Sequence, residues 1–167
     1  MLSSLSFHTQ KDLLIKGWMS HDARWFMAVT ERFGIDAANR LNQFVCRELG
    51  RVEMKRLMNT LNLSLPKNLD EHLNLKRAAI SLYGPDLIEY GIKILDHQSY
   101  EMELQKCFAY ENIVKARIKD QYECGIFARL QGWIDAQGLE HEISPPLGKC
   151  MKVSGEECSY TIELRFK

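Results

Sequence analysis

No excess of either charge marks this sequence: 22 Lys and Arg residues balance 22 Asp and Glu. A nucleic-acid binder would show a basic surplus or a strongly basic face, and no Lys/Arg cluster interleaved with aromatics occurs. Nor is there a run of the ~18 apolar residues that a membrane span needs. Met1 to Phe7 carries no basic stretch leading into a long apolar core, so no signal peptide is expected. Cysteines are five in all, an odd number at irregular spacings, and no pair forms the C-x2–4-C knuckle of a structural zinc site. Without export, those thiols are expected to be reduced and the location cytoplasmic. No internal repeat or low-complexity linker interrupts the chain.

What is present fits one domain over residues 1–167, since domains commonly run ~100–200 residues. A helical part over 10–84 precedes a mixed β/α part over 86–167. Leu14, Trp18, His21, Trp25, Val29 and Phe33 recur at steps of three and four and lay a stripe along a first helix, Gln10 to Phe33. Gly34 is placed to cap it and Asp36 to open the next helix, which runs to about Leu61. Ala38, Leu41, Val45, Leu49 and Val52 form the apolar face of that second helix, widened by Phe44 and Met54. Gly50 inside it costs about 1 kcal/mol relative to Ala and points to close packing or a kink. Asn68 with Glu71 resembles a capping box for a third helix carrying Leu69, Leu73, Ile80 and Tyr83, ended by Gly84-Pro85.

Beyond it the period changes to two. Ile88, Tyr90, Ile92 and Ile94 form one strand, and Tyr100, Met102 and Leu104 its hairpin partner across a turn at Asp96 to Ser99. Helices follow at about Ala109–Lys119 and Tyr122–Ala136. Ser144-Pro145-Pro146-Leu147-Gly148 is a loop. Cys150 to Val153 is expected to be a short strand. Cys158, Tyr160, Ile162, Leu164 and Phe166 alternate strictly with polar residues, which turns Cys158 inward. The fold class is therefore α+β: helices packed on an antiparallel sheet of about four strands, built as hairpin, two helices and strand pair.

Four thiols, Cys107, Cys124, Cys150 and Cys158, fall in the last 61 residues at separations of 17, 26 and 8. Free cysteine packs readily as a small hydrophobe, which accounts for Cys46 and is enough for Cys158. Cys107 falls on the polar phase of its strand, at the start of a helix. There the helix dipole lowers a thiol pKa and favours the thiolate. Glu111 stands one turn later on the same face, so the two make a workable nucleophile and acid–base pair. His21 is either a core histidine satisfied by a carbonyl or, with Asp22, a pocket residue able to act as acid or base. Trp18 and Trp25 are apolar walls, whether of a core or of a ligand site.

The pattern Cys107-x3-Glu111, then Cys124, then Cys158 on a Cys-x-Tyr strand resembles the L-2-amino-thiazoline-4-carboxylic acid hydrolase family. Trp18-x-x-His21-Asp22-x-x-Trp25-Phe26 and the run from Gly34 to Arg56 are similar to an uncharacterised bacterial group related to it. The ending Cys150-x4-Gly155-x2-Cys158-x-Tyr160 also resembles the 4-vinyl reductase small-molecule-binding domain, whose C-terminal cysteines are suspected metal ligands. The first resemblance implies hydrolytic opening of a cyclic C–N substrate to a carbamoyl-cysteine. Cys107, Glu111 and His21 would be its catalytic candidates, and Cys124, Cys158, Trp18 and Trp25 its ligand-binding ones. Two departures stand out: Gly125-Ile126-Phe127 follows Cys124 where the family tends to place an acid, and Ser159 stands where an Arg or Asp is expected. An amino-acid carboxylate would want a placed cation, for which Arg117 and Arg129 are the nearby candidates.

Three functions are consistent with these residues. One is a hydrolase of thiazoline-carboxylate-like substrates. Another is a non-catalytic sensor or carrier that binds a small-molecule ligand or a metal. The third is an interaction module whose long amphipathic helices pair two copies as a homodimer. No cofactor is named by the residues, and no nucleic-acid or membrane partner is expected.

Overall fold

A computed structural model describes residues 5–84 and 86–166. Pro85, expected with Gly84 to end the third helix, lies outside the described residues. The chain divides into two compact units, residues 1–40 and 41–167. The first holds helix α1, Phe7–Phe33, and the start of α2, Ile35–Thr60. Ser6 caps α1 by accepting from the Thr9 amide at 3.1 Å, so the helix begins three residues earlier than its apolar periodicity suggests. Gly34, at φ 85°, ends it, its amide bonded to the Thr30 carbonyl. The apolar stripe is not a core face. No residue of α1 is buried, and Leu14, Trp25 and Phe33 are 75%, 62% and 72% exposed.

The second unit contains the rest of α2, α3 (Leu69–Ser81), β1 (Ile88–Ile94), β2 (Ser99–Cys107), α4 (Phe108–Lys115), α5 (Gly125–Ala136), β3 (Glu140–Ser144) and β4 (Ser159–Arg165). The strands form one antiparallel sheet in the order β1-β2-β4-β3. Tyr100, Met102 and Leu104 of β2 and Tyr160, Ile162 and Leu164 of β4 are buried, whereas Gln105, Glu163 and Arg165 are exposed. One sheet face therefore packs against the helices and the other meets water. Met54, Met58, Leu73, Ile80, Phe127, Trp133 and Ile134 supply the helical side of this core. The Phe127 and Tyr160 rings meet at 4.0 Å with a 40° tilt.

Two strand expectations are corrected. Met151–Ser154 is a 3-10 turn rather than a strand, and the partner of β4 is Glu140–Ser144. That strand is five residues long at the sheet edge, and its inward positions are only His141 and Ile143, too short an alternation to stand out. The apolar face proposed for α2 holds in part: Ala38 and Met54 are buried, joined by Gly50 and Met58, whereas Leu41, Val45 and Val52 are exposed.

The reason lies in how α2 meets α5. A Cβ built on Gly50 would come within 2.2 Å of the Arg129 carbonyl oxygen, and one on Gly132 within 2.0 Å of the Arg47 carbonyl oxygen. Backbone thus touches backbone, so Gly50 marks close packing and not a kink. The α3 cap forms as the sequence suggests: the Glu71 amide donates to Asn68 Oδ1 at 2.9 Å, and Glu71 Oε2 accepts from the Lys67 amide at 2.8 Å. The Gly132→Ala substitution is expected to destabilise the protein by about 3 kcal/mol in urea denaturation, at the upper end for overpacking, because neither contacting backbone can yield. Gly17→Ala on α1 is the control. Nothing lies within 4 Å of that position, so helix propensity alone predicts a gain of about 1 kcal/mol in helix stability.

Candidate functional site

Four elements carry the four C-terminal thiols. Cys107, Cys124 and Cys150 precede α4, α5 and the 3-10 turn respectively, each in extended backbone, and Cys158 immediately precedes β4. All four are buried, and no disulfide joins any of the five cysteines of the chain. The four are near enough for their charges to interact: Cys107 with Cys150, Cys124 with Cys107 and Cys158, and Cys158 with Cys107 and Cys150.

The polar phase expected for Cys107 is corrected by an irregularity in β2. Glu89 pairs with Lys106 but Tyr90 pairs with Leu104, so Gln105 is an extra residue. The bulge reverses the alternation beyond it and turns Cys107 into the core. The lowered pKa expected of this thiol is corrected too. Burial pushes it up, and the first-turn amides of Tyr110 and Ala109 only partly offset the rise. Burial likewise pushes Cys124 and Cys158 up to about 12, and Cys150 upward. Each is a neutral thiol near pH 7. Glu111 is exposed on α4, one turn from Cys107 but outside the core that holds the sulfur.

The remaining sequence candidates are placed differently. His21 and Trp25 are exposed on α1 and Trp18 is half-buried there, all within the first unit. Arg117 is exposed in the connection after α4, at φ 60°. Arg129 is buried and committed to Glu53, donating from Nε at 2.7 Å and also from Nη2. The same carboxylate accepts from Trp133 Nε1 at 3.2 Å and Tyr83 Oη at 3.1 Å. Among the described residues, no three His, Cys, Asp or Glu side chains are grouped to hold a metal ion. Sulfur chemistry suits a soft metal, but the thiols as placed do not meet that requirement.

A model described as a family of unknown function, DUF6125, matches residues 7–122. The chain belongs to that family. The matched segment includes Cys107 and Glu111, whereas Cys124, Cys150 and Cys158 lie beyond it. No curated protein and no solved structure matches the chain.

A second polar group escaped the sequence. His72 and Lys76 of α3 are fully buried, 0% and 1% exposed. His72 Nδ1 lies 2.7 Å from Gln137 Oε1 and its Nε2 lies 3.1 Å from Tyr100 Oη. Lys76 Nζ donates to the same Tyr100 oxygen and faces Met102 Sδ at 3.7 Å. Burial holds His72 down to about 3 and Lys76 down to about 7. The signal was available: His72 and Lys76 share the i, i+4 phase of the apolar Leu69–Leu73–Ile80 face, where charged residues are rarely buried.

Two measurements follow. Alkylation of the four buried thiols by iodoacetamide at pH 7 is expected to be at least about 100-fold slower in the native than in the unfolded chain, since both thiolate fraction and access are low. For Lys76, the unfolded amine titrates near ~10.4 and the folded one at about 7, so between these values the unfolded chain holds the extra proton. Stability then rises with pH over that window, and the cost of burial is complete below pH 7. From pH 7 to 8.5 the advantage of Lys76→Met over wild type should shrink by about 2 kcal/mol in denaturant titrations, the thiols being common to both chains.

Proposed function

We propose that this chain is a small-molecule-binding domain without catalytic activity, and that its ligand is an organic carboxylate with an apolar body. What favours binding over hydrolysis is the state of Cys107: a buried thiol with a raised pKa, unaccompanied in the core by the exposed Glu111. No activated nucleophile is assembled there, whereas hydrolysis through a covalent thioester-like intermediate would need one.

For the ligand, the most suitable place is an open cleft of about 370 Å³ between the end of α3 and β1, lined by Arg77, Ile80, Gly84, Ile88 and Tyr90 among others. That volume lies within the range of small-molecule sites. Arg77 donates to Asn74 Oδ1 at 3.2 Å, which uses one of the guanidinium's five donors and suits it to a carboxylate. The four thiols then serve as core packing. The reduced cysteines favour a cytoplasmic location. The exposed apolar residues of α1 suit pairing with a second copy, which light scattering over a concentration series tests.

L-2-aminothiazoline-4-carboxylate is the discriminating probe, followed by calorimetry and by assay for carbamoyl-cysteine. Binding without product is expected, weakened about 10-fold by Arg77→Ala through loss of a charge-assisted hydrogen bond. Cys107→Ala and Glu111→Ala should leave it unchanged. Turnover abolished by Cys107→Ala would establish the hydrolase instead, and absence of both binding and turnover would discard this ligand class. Stoichiometric metal in protein purified without chelators, lost on Cys124→Ser or Cys158→Ser, would move the site to the thiols.

A further inference from the structure

Lys76 is a buried amine with no carboxylate in contact among the described residues. Its Nζ donates to Tyr100 Oη, faces Met102 Sδ and lies 4.5 Å from the centroid of the Tyr100 ring, and burial lowers its pKa. The titratable and charged groups that face it are His72 on its own helix, Tyr100 on β2 and His141 on β3. Behind His141 stands Asp135 of α5, 3.9 Å from its Nδ1, and Asp135 is already taken by Arg47 and Arg51 of α2 at 2.7 and 2.8 Å. Burial pushes Asp135 up, yet those two guanidinium groups outweigh it and hold the carboxylate below its ordinary value. Asp135 is thus not left over to neutralise Lys76.

The hydrogen bonds have a direction. An ammonium at Lys76 can only donate, so Tyr100 Oη accepts from it and turns its own O–H to His72 Nε2. His72 is neutral, so its proton sits on Nδ1 and is donated to Gln137 Oε1. Every bond points from Lys76 toward Gln137, and Gln137 Nε2 is left buried with no partner. Loss of one proton reverses the array by relay: Lys76 Nζ passes a proton to Tyr100 Oη, Tyr100 passes its own to His72 Nε2, and the Nδ1 proton leaves to solvent, so that the Lys76 lone pair accepts the Tyr100 O–H. The Tyr100 oxygen then accepts from His72 Nε2–H, Nδ1 becomes an acceptor, and a half-turn of the Gln137 amide brings Nε2 to it. The nitrogen gains its bond in that second arrangement and Oε1 gives one up, so the amide faces the imidazole with either atom.

We propose that Lys76, Tyr100, His72 and Gln137 form a reversible hydrogen-bond wire whose polarity is set by one proton on Lys76, a pH-sensitive switch read out at the end of α5. Gln137 stands at the end of α5, where its backbone N–H donates to the Ile134 carbonyl at 3.0 Å, just ahead of β3.

The test is nitrogen NMR of the full chain, labelled at histidine and lysine, from pH 5.5 to 8.5. His72 should remain neutral throughout and pass from the Nδ1–H to the Nε2–H tautomer, with the same midpoint as the Lys76 amine, near the value of about 7 that burial gives it. Lys76→Met should hold one tautomer at every pH. Tyr100→Phe cuts the wire in the middle, so Lys76 should still titrate while His72 no longer follows, and it carries the test alone if the first variant fails to fold. A single His72 tautomer across the range in wild type, or a tautomer change that survives Tyr100→Phe, would overturn the proposal.

Discussion

The close approach of α2 to α5 is the constraint on which the second unit depends. Gly50 and Gly132 let the two backbones meet where any Cβ would overlap a carbonyl oxygen. Gly125 continues the contact, since a Cβ there would lie 2.6 Å from Asn42 Nδ2. At such short range the polar side chains that flank the crossing can reach across it. Arg47 and Arg51 of α2 hold Asp135 of α5, and Glu53 of α2 holds Arg129 and Trp133 of α5. Arg129 also lies over the Tyr83 ring at 4.9 Å. Removing the half-buried Glu53 would leave the buried Arg129 guanidinium without compensation.

The same crossing governs the chemistry. It presents α5 along the inner sheet face, with its N-terminus next to Cys124 and its C-terminus at Gln137. One end of the helix thereby meets the thiols and the other meets the His72–Tyr100–Lys76 array. The thiols are neutral because burial outweighs the first-turn amides. The array is unusual in the opposite sense, holding an amine where an apolar side chain would pack. A buried amine is tolerated because its protonation equilibrium moves to about 7, so that the charge is shed rather than solvated.

Much of the element order was legible. The three N-terminal helices, the β1–β2 hairpin, the two following helices and the inward Cys158 strand follow from periodicity and caps, and Asn68 with Glu71 marks its boundary correctly. Three features were not legible, each for a physical reason. β3 is an edge strand whose two inward positions carry too little alternation. The bulge at Gln105 has no residue signature such as glycine, yet it moves Cys107 from the expected surface phase into the core. The α1 stripe has the spacing of a core face, but spacing does not say what covers it.

By itself the sequence determined most of the helical and extended segments, the cap at Asn68, and that the composition lacks the charge excess and long apolar run of nucleic-acid and membrane-spanning proteins. These depend on neighbours within a few residues, which a linear pattern records. Only the tertiary structure decided the protonation states and the groupings. Cys107 and Lys76 have ordinary pKa values until distant elements remove their water, and Tyr100 and Gln137 join Lys76 and His72 only because the sheet and α5 close over α3. Desolvation is a property of the closed core, and no single stretch of chain carries it.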